Sequence, residues 1–187
     1  MKLQVVTHPT GPTLSVDGAA LAKVADGNVA ALSEIYDRHA HAIMRFAVRL
    51  VGREDSEDLV QATFMKAVDI ARAYDDRAGS ARSWLFGITA KLASERRRAF
   101  VRFGRALGRF ASGSRISDTP HTAERLAIER ALSRLSAAKR AVVVLVEVEG
   151  YTCEQVAEMI GVPIGTVWTR LHHARKDLRT ILEAQVT

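Results

Sequence analysis

The amino-acid sequence predicts an all-α protein of two helical domains joined by a flexible linker. Apolar residues recur at helical spacing in both halves of the chain. Between the halves, residues 104–123 contain Gly, Ser and Pro but few large apolar residues, which is typical of a linker. We therefore expect domains at residues 25–103 and 124–187, preceded by a flexible N-terminal extension of residues 1–24 that shows no sustained period.

The first domain is expected to contain three main helices. The first begins near Ala30 and ends at Gly52. The second begins near Ser56 and has acidic residues in its first turn, where they complement the helix dipole. After a polar loop at residues 74–80, the third helix runs from about residue 81 to residue 100. Apolar positions on the buried faces include Leu32, Ile35, Ile43, Phe46, Leu50, Val60, Phe64, Ile88 and Leu92.

The second domain contains the run AVVVLV at residues 141–146, which could by itself form a buried strand. Helical patterns surround this run, so a strand here would have no partner for its backbone hydrogen bonds. Because unpaired backbone groups in a core cost too much free energy, we predict a fully buried helix instead.

A helix-turn-helix is predicted after this buried helix. Thr152 and Gln155 have the spacing of a capping box, and Gly161 can adopt the left-handed conformation that ends a short helix. A longer helix then runs from about Pro163 to Ala184. This layout holds the longer helix away from the core, where it can enter the major groove of DNA. Its narrow apolar stripe consists of Val167, Leu171, Ala174, Leu178 and Leu182.

The outer face of this longer helix has candidate DNA contacts. An advance of about 100° per residue from Val167 directs polar side chains away from the core. Thr166, Thr169 and His172 are candidates for contacts at or near base edges, and Trp168 would stack on a sugar or pack beside the groove. An ordinary three-helix bundle with a basic surface is the alternative. The residues better placed for phosphates are Arg170, Arg175, Lys176 and Arg179.

The net charge of +6 fits a polyanionic partner, and the charge is unevenly distributed. Charge alone does not decide the function, because each of the two charged runs, at residues 96–110 and 54–58, could simply be a solvated helix face. Residues 96–110 contain no acid but six arginines, which are Arg96, Arg97, Arg98, Arg102, Arg105 and Arg109. Residues 54–58 contain four acids, which are Glu54, Asp55, Glu57 and Asp58.

Two groups of motifs resemble the extracytoplasmic-function sigma factors, a family of transcription initiation factors. The first is GVPIGTVWTRLHHAR at residues 161–175, within a segment, 135–182, that is similar to the family's promoter-binding C-terminal domain. The second is EDLVQATF at residues 57–64 with RSWLFGI at residues 82–88, which look like the polymerase-binding and promoter-melting helices. Both groups stand in the family's order, and the resemblance covers about residues 30–182.

The resemblance implies a sigma-2-like domain that binds the polymerase clamp and the minus-ten element. It also implies a sigma-4-like domain that binds the minus-thirty-five element as a duplex. The loop at residues 74–80 would help to capture a flipped base, and cations beyond it would hold the separating strands. The polymerase-binding residues would be Glu57, Asp58, Gln61 and Phe64. The minus-ten residues would be Tyr74, Arg77, Ser80, Arg82, Trp84, Lys91, Arg96, Arg97 and Arg98. Trp84 could instead be a core residue.

The chain departs from the family pattern at several positions. Ala62 replaces a frequent acid, which would weaken polymerase docking, and Ala81 replaces an aromatic residue, which leaves the identity of the captured base open. Trp168 and His173 replace common cations, so we expect an altered minus-thirty-five preference rather than lost DNA binding. The minus-thirty-five residues would be Thr166, Trp168, Thr169, Arg170, His172, His173, Arg175 and Lys176.

The partners that the resemblance implies are core RNA polymerase, promoter DNA and an anti-sigma factor, in the cytoplasm or held at the membrane by that inhibitor. No catalytic or metal-ligating constellation is visible, so no enzyme activity, metal or cofactor is expected. Cys153 is the only cysteine, and no apolar run reaches the roughly 20 residues that cross a bilayer. A stand-alone helix-turn-helix regulator and a scaffold on a degenerate sigma fold are the alternatives.

Overall fold

The structure, a computed structural model, describes residues 14–106 and 123–186. Every regular element in these two ranges is helical, which confirms the all-α prediction. The N-terminal domain contains α1 (Val16–Ala25), α2 (Leu32–Val51), α3 (Ser56–Asp69) and α4 (Ala81–Ala106). The C-terminal domain contains α5 (Ala123–Arg134), α6 (Ala137–Val143), α7 (Cys153–Ile160) and α8 (Ile164–Val186).

Helices α2, α3 and α4 pack around an apolar core. Helix α2 is strongly amphipathic because Ile35, Ile43 and Phe46 share one face, and all three side chains are fully buried. The centre of the Phe46 ring lies 4.7 Å from that of Phe86 on α4. Gly52, with a φ of 89°, ends α2 where the sequence predicted.

The prediction of a flexible extension through residue 24 is wrong from residue 16 onward, because α1 is part of the N-terminal domain. The Ser15 side chain caps α1 by accepting a hydrogen bond from the Gly18 amide at 2.9 Å. Ala20 and Leu21 are each 1% exposed. Seven of the ten residues of α1 are Val, Ala or Leu and lie all round the helix, so they give no clear period. Packing against the rest of the domain stabilises the helix. Residues 1–13 lie outside the described part of the chain.

Helix α4 ends at Ala106, several residues beyond the predicted end near residue 100. The segment from 96 to 106 contains five Arg and two Ala, which are favourable helix formers. The first predicted linker residues, 104–106, therefore belong to α4, and residue 123 already belongs to α5. The remaining predicted linker residues, 107–122, lie outside the described ranges.

The β-branched run of the C-terminal domain is helical, as predicted. Helix α6 continues into a π-helical turn, Val144–Val148, in which the Glu149 amide donates to the Val144 carbonyl oxygen at 3.0 Å. Val142, Val144 and Leu145 are fully buried. The backbone is therefore hydrogen-bonded in the core without a partner strand.

The two domains pack against each other, with α2 and α4 on one side and α6 and α7 on the other. The apolar core is continuous across this contact and includes Phe86 and Val156, both fully buried. At Gly87, an added Cβ atom would lie 2.3 Å from the carbonyl oxygen of Met159, so only glycine permits this approach. The sequence did not predict that the domains share a core.

A buried arginine joins the domains at this contact. Arg140 is 5% exposed, and its guanidinium donates hydrogen bonds to the carbonyl oxygens of Leu50 in α2, of Ser133 at 2.6 Å and of Leu135 at 3.2 Å. Burial lowers the pKa of Arg140 to about 10, and the positive charge of Arg97 adds to the effect. The guanidinium thus remains charged at neutral pH and binds carbonyls that helix ends leave without intrahelical donors.

Candidate polymerase and nucleic-acid interfaces

The acidic surface of α3 is open to solvent. Glu57, Asp58 and Gln61, three of the residues assigned to polymerase binding, are exposed. Phe64 is only 4% exposed, and its ring centre lies 4.8 Å from that of Tyr36 on α2. Phe64 therefore supports this surface from beneath, and its ring contacts the domain core rather than solvent.

An apolar groove beside this surface was not predicted. It has a volume of about 780 Å³ and lies between α2 and α3, with Gln61 on one side. Tyr36 and Met65, which also line it, are 47% and 62% exposed. Large exposed apolar side chains next to acids are typical of a protein-binding surface. The sequence gives no signal for this groove, because an isolated exposed Tyr or Met is common on helix surfaces.

The loop at residues 74–80 makes contacts within itself and with the start of α4. The Tyr74 ring lies 5.3 Å from that of Trp84, and its hydroxyl donates a hydrogen bond to Asp76 at 2.8 Å. Ser80 accepts a hydrogen bond from the first turn of α4 at 3.2 Å and caps that helix. Arg77 is exposed near the loop tip. The structure therefore brings four predicted minus-ten residues together at one junction of loop and helix.

Arg82 binds a residue of the C-terminal domain. Its guanidinium lies 3.2 Å from the Glu149 carboxylate and 5.3 Å from the centre of the Phe86 ring. The Glu149 side chain is only 9% exposed and also pairs with Arg49 of α2 at 3.4 Å. Phe86 in turn meets Tyr151 edge-on at 6.0 Å. A carboxylate of the C-terminal domain therefore pairs with Arg82, a predicted minus-ten residue.

The cationic face of α4 continues beyond Arg82 with side chains in different settings. Lys91, Arg97 and Arg98 are exposed. Arg96 is also exposed, but it donates a hydrogen bond to the carbonyl oxygen of Asp58 at 3.1 Å and so ties α4 to α3. Of the three consecutive arginines, Arg97 and Arg98 have the side chains that are better placed for a DNA strand.

The helix-turn-helix has the predicted local structure. The Thr152 amide donates to Oε1 of Gln155 at 2.9 Å, and the Gln155 amide donates to Oγ1 of Thr152 at 3.2 Å. Gly161, with a φ of 65°, ends α7 in the left-handed conformation. These features place the start of α8 at Ile164, directly after a tight turn.

The outer face of α8 is the one that helical geometry predicted. Val167, Leu171 and Ala174 are buried. Thr166 and Arg170 are half-buried, and Arg175 donates a hydrogen bond to Glu147 at 2.8 Å, so a phosphate would compete with that carboxylate. The orientation of the helix is therefore confirmed, and the DNA contacts stay predictions. The exposed candidates are Trp168, Thr169, His172, His173, Arg175 and Lys176.

Comparison with known protein families matches both domains. Residues 35–112 match Sigma-70 region 2, and residues 125–178 match Sigma-70 region 4. The ECF RNA polymerase sigma factor SigL of Mycobacterium tuberculosis (strain ATCC 25618 / H37Rv) is 36% identical over 174 residues, which cover 90% of this chain and 95% of that protein. The chain belongs to the ECF sigma factor family.

Further relatives agree with this assignment. SigE of Mycolicibacterium smegmatis is 34% identical over 170 residues, covering 84% of this chain and 65% of that protein. The sigma factor RpoE, solved with the anti-sigma factor NepR from Bartonella quintana, has a TM-score of 0.64 and 26% identity over 81% of this chain and 96% of that chain. CnrH, solved with the cytosolic domain of CnrY, has a TM-score of 0.61 and 26% identity over 91% and 99%.

The two sigma factor regions follow the helices in chain order. The region 2 match begins within α2 and includes α3 and α4, and the region 4 match extends from α5 into α8. Helix α1 precedes the region 2 match. Members of the family are transcription regulators. Within the described ranges, no helix is long and apolar enough to span a membrane, and no cluster of His, Cys, Asp and Glu could hold a metal ion.

Sequence reasoning missed Glu149, which binds Arg82 in this ECF sigma factor. The two residues are 67 positions apart, and no local pattern connects them. Gly87 offered one signal, because an isolated glycine inside a helix often marks close packing. The element that approaches Gly87 could not be identified without the structure.

Proposed function

We propose that this sigma factor binds core RNA polymerase through α3 and directs it to promoters with two DNA-binding surfaces. The polymerase-binding surface consists of Glu57, Asp58 and Gln61, beside the groove between α2 and α3. The minus-ten surface is the loop at residues 74–80 with the cationic face of α4, and the minus-thirty-five surface is the outer face of α8. The observation that carries this proposal is the presence of regions 2 and 4 in one chain, each with exposed side chains of suitable charge.

The chemistry of each surface fits its proposed partner. A separated strand needs cations for its phosphates and aromatic rings for unstacked bases, and the minus-ten surface offers both. A helix with exposed polar and cationic side chains fits the major groove of a duplex. Neither domain alone should bind a promoter tightly, because linkage raises the local concentration of the second surface once the first is bound.

The domains must separate for this function. Helix α7 covers the face of α4 around Phe86 and Gly87, and Glu149 occupies Arg82. The Arg82 guanidinium is not free to bind a phosphate while the domain contact persists, whereas Lys91, Arg97 and Arg98 on α4 are already exposed. We therefore expect polymerase binding to release the C-terminal domain from α4.

An anti-sigma factor is the proposed regulator. The similar structures of RpoE and CnrH were solved with NepR and CnrY, respectively. In this chain, the groove with Tyr36 and Met65 offers exposed apolar surface directly beside Gln61. A protein bound there would cover the proposed polymerase-binding surface. We propose that this competition takes place in the cytoplasm, where RNA polymerase works.

Run-off transcription with purified core polymerase tests the proposed function. The protein is expected to start transcripts of defined length on promoter fragments that core polymerase alone does not transcribe. A stand-alone helix-turn-helix regulator would bind such DNA without starting transcripts. If no cognate promoter yields a transcript while the same core polymerase works with another sigma factor, the proposed function is wrong.

Replacing Arg97 and Arg98 by alanine is expected to impair promoter melting and to leave polymerase binding intact, because both side chains are exposed. In a plot of the logarithm of the constant for open-complex formation against the logarithm of the salt concentration, the slope should become less steep by roughly 0.7 for each lost contact with a DNA strand. The matched control replaces Arg130 and Arg134, exposed residues of α5, and removes the same charge. Arg96→Ala is made separately because Arg96 also binds α3. Wild-type melting by the double variant would refute this role.

A further inference from the structure

We propose that α1 positions the loop at residues 74–80 for minus-ten recognition, with Ser15 and Asp76 as the positioning residues. This inference rests on the proposed function of the loop. Helix α1 lies before the region 2 match. Its contacts nevertheless connect it directly to the loop that is expected to receive a promoter base.

The connection is made by one carboxylate. Asp76 accepts hydrogen bonds from the Ser15 amide at 2.6 Å, from the Ser15 hydroxyl at 2.6 Å and from the Tyr74 hydroxyl at 2.8 Å. The Ser15 oxygen in turn accepts a hydrogen bond from the Gly18 amide. The side chain that caps α1 therefore also donates to the loop, and one acidic group joins the start of α1 to the start of the loop.

Close packing at Gly18 brings α1 up to the same carboxylate. A Cβ atom at Gly18 would lie 2.8 Å from Cγ and Oδ2 of Asp76. Any larger side chain would displace the carboxylate from its position between Ser15 and Tyr74. Glycine at this helical position therefore has a local steric reason.

Helix α1 is itself held firmly, so it can serve as a fixed support. Asp17 pairs with Arg38 at 2.9 Å and with His39 at 2.7 Å, and both partners are on α2. Near the other end of α1, Arg72 donates a hydrogen bond to the Ala25 carbonyl oxygen at 3.2 Å. The helix is thus anchored to α2 and to the segment just before the loop.

The contact between α1 and Asp76 fixes loop residues that are expected to touch DNA. Tyr74 packs against Trp84, and burial together with the hydrogen bond to Asp76 raises the pKa of Tyr74 well above its usual value. The hydrogen bonds from Ser15 lower the pKa of Asp76, so the carboxylate stays charged and keeps accepting. Arg77 follows directly in the chain. The positions of Tyr74 and Arg77 therefore depend on a contact with α1, outside the loop.

Three variants break this contact in different ways. Ser15→Ala removes the hydroxyl donor, Asp76→Asn removes the charged acceptor, and Gly18→Ala displaces the carboxylate without removing any hydrogen-bonding group. Ser15→Thr keeps the hydroxyl and serves as the conservative rescue. Ser33→Ala is the matched control, because Ser33 is an exposed serine on α2 whose hydroxyl bonds only a backbone oxygen nearby.

Amide hydrogen exchange in the free protein tests whether α1 controls the loop. Exchange across residues 74–80 should accelerate about tenfold in Ser15→Ala and Gly18→Ala, the effect of losing one charge-assisted hydrogen bond, and remain at the wild-type rate in Ser15→Thr and Ser33→Ala. Unchanged exchange in all variants would overturn the inference and leave the proposed function standing.

Transcription by the reconstituted holoenzyme tests whether the loop position matters for promoter choice. On a panel of promoters with single substitutions in the minus-ten element, the three variants should lose discrimination at one or more positions. Their affinity for core polymerase should equal that of the wild type. A uniform loss of activity with an unchanged preference profile would assign α1 a stabilising role only and overturn the inference. Absence of transcription with the wild type would instead refute the proposed function.

Discussion

A Gly87→Gln variant is expected to hold the two domains apart in solution. The added Cβ would lie 2.3 Å from the carbonyl oxygen and 3.0 Å from the carbonyl carbon of Met159, and backbone atoms cannot rotate away. Glutamine favours a helix over glycine, so α4 should persist and α7 should move instead. In small-angle scattering, the radius of gyration should rise clearly above the roughly 16 Å of a compact chain of this length.

Two further variants make this prediction specific. Gly165→Gln is the control, because no atom lies within 4 Å of a Cβ at Gly165, and its radius of gyration should equal that of the wild type. Glu149→Gln weakens the pairing with Arg82 and Arg49 without adding bulk, and it should bind a single-stranded minus-ten oligonucleotide more tightly than the wild type does without polymerase. A wild-type radius of gyration for Gly87→Gln would contradict the predicted separation.

An Arg140→Met variant is expected to lose about 3 kcal/mol of unfolding free energy. Methionine keeps much of the aliphatic volume, but the carbonyl oxygens of Leu50, Ser133 and Leu135 lose their donor. Hydrogen bonds to a charged group contribute about 1.5 to 3 kcal/mol each, and relief from burying the guanidinium offsets part of that loss. Urea unfolding at neutral pH, followed by circular dichroism, measures the difference.

The control for this stability prediction is Arg134→Met. Arg134 is an exposed arginine on α5, so its replacement should change the unfolding free energy by no more than about 0.5 kcal/mol. If Arg140→Met matched this control, the three carbonyls would have found other donors, and Arg140 would not be the link between the domains.

The fold class could be predicted because local rules dominate in this chain. The stripe through Val167, Leu171 and Ala174 defines the orientation of α8, and the capping box at Thr152 defines the start of α7. The buried helix at residues 141–146 followed from the requirement that buried backbone groups be hydrogen-bonded. Helix α1 was not predicted because the contacts that stabilise it join residues far apart in the sequence, such as Ser15 and Asp76, which are separated by 61 positions.

The candidate site was predicted less completely than the fold. Helical geometry identified the outer face of α8, and the resemblance identified the loop and α4. The helical period placed Phe64 on the buried face of α3, and the structure confirms this. Neither the period nor the resemblance showed that Glu149 pairs with Arg82, since that contact depends on packing between segments distant in sequence. Such pairs leave no periodic signal in a single sequence.

Energy transfer between dyes on the two domains most directly tests the claim that polymerase binding releases the DNA-binding face of α4. Cysteines would replace Asp37 on α2 and Thr180 on α8, both exposed, in a Cys153→Ser background. Added core polymerase should lower the transfer efficiency in proportion to the holoenzyme formed. In the Gly87→Gln variant, the transfer efficiency should already be low before polymerase is added. Unchanged transfer in a holoenzyme that starts transcription would contradict the account.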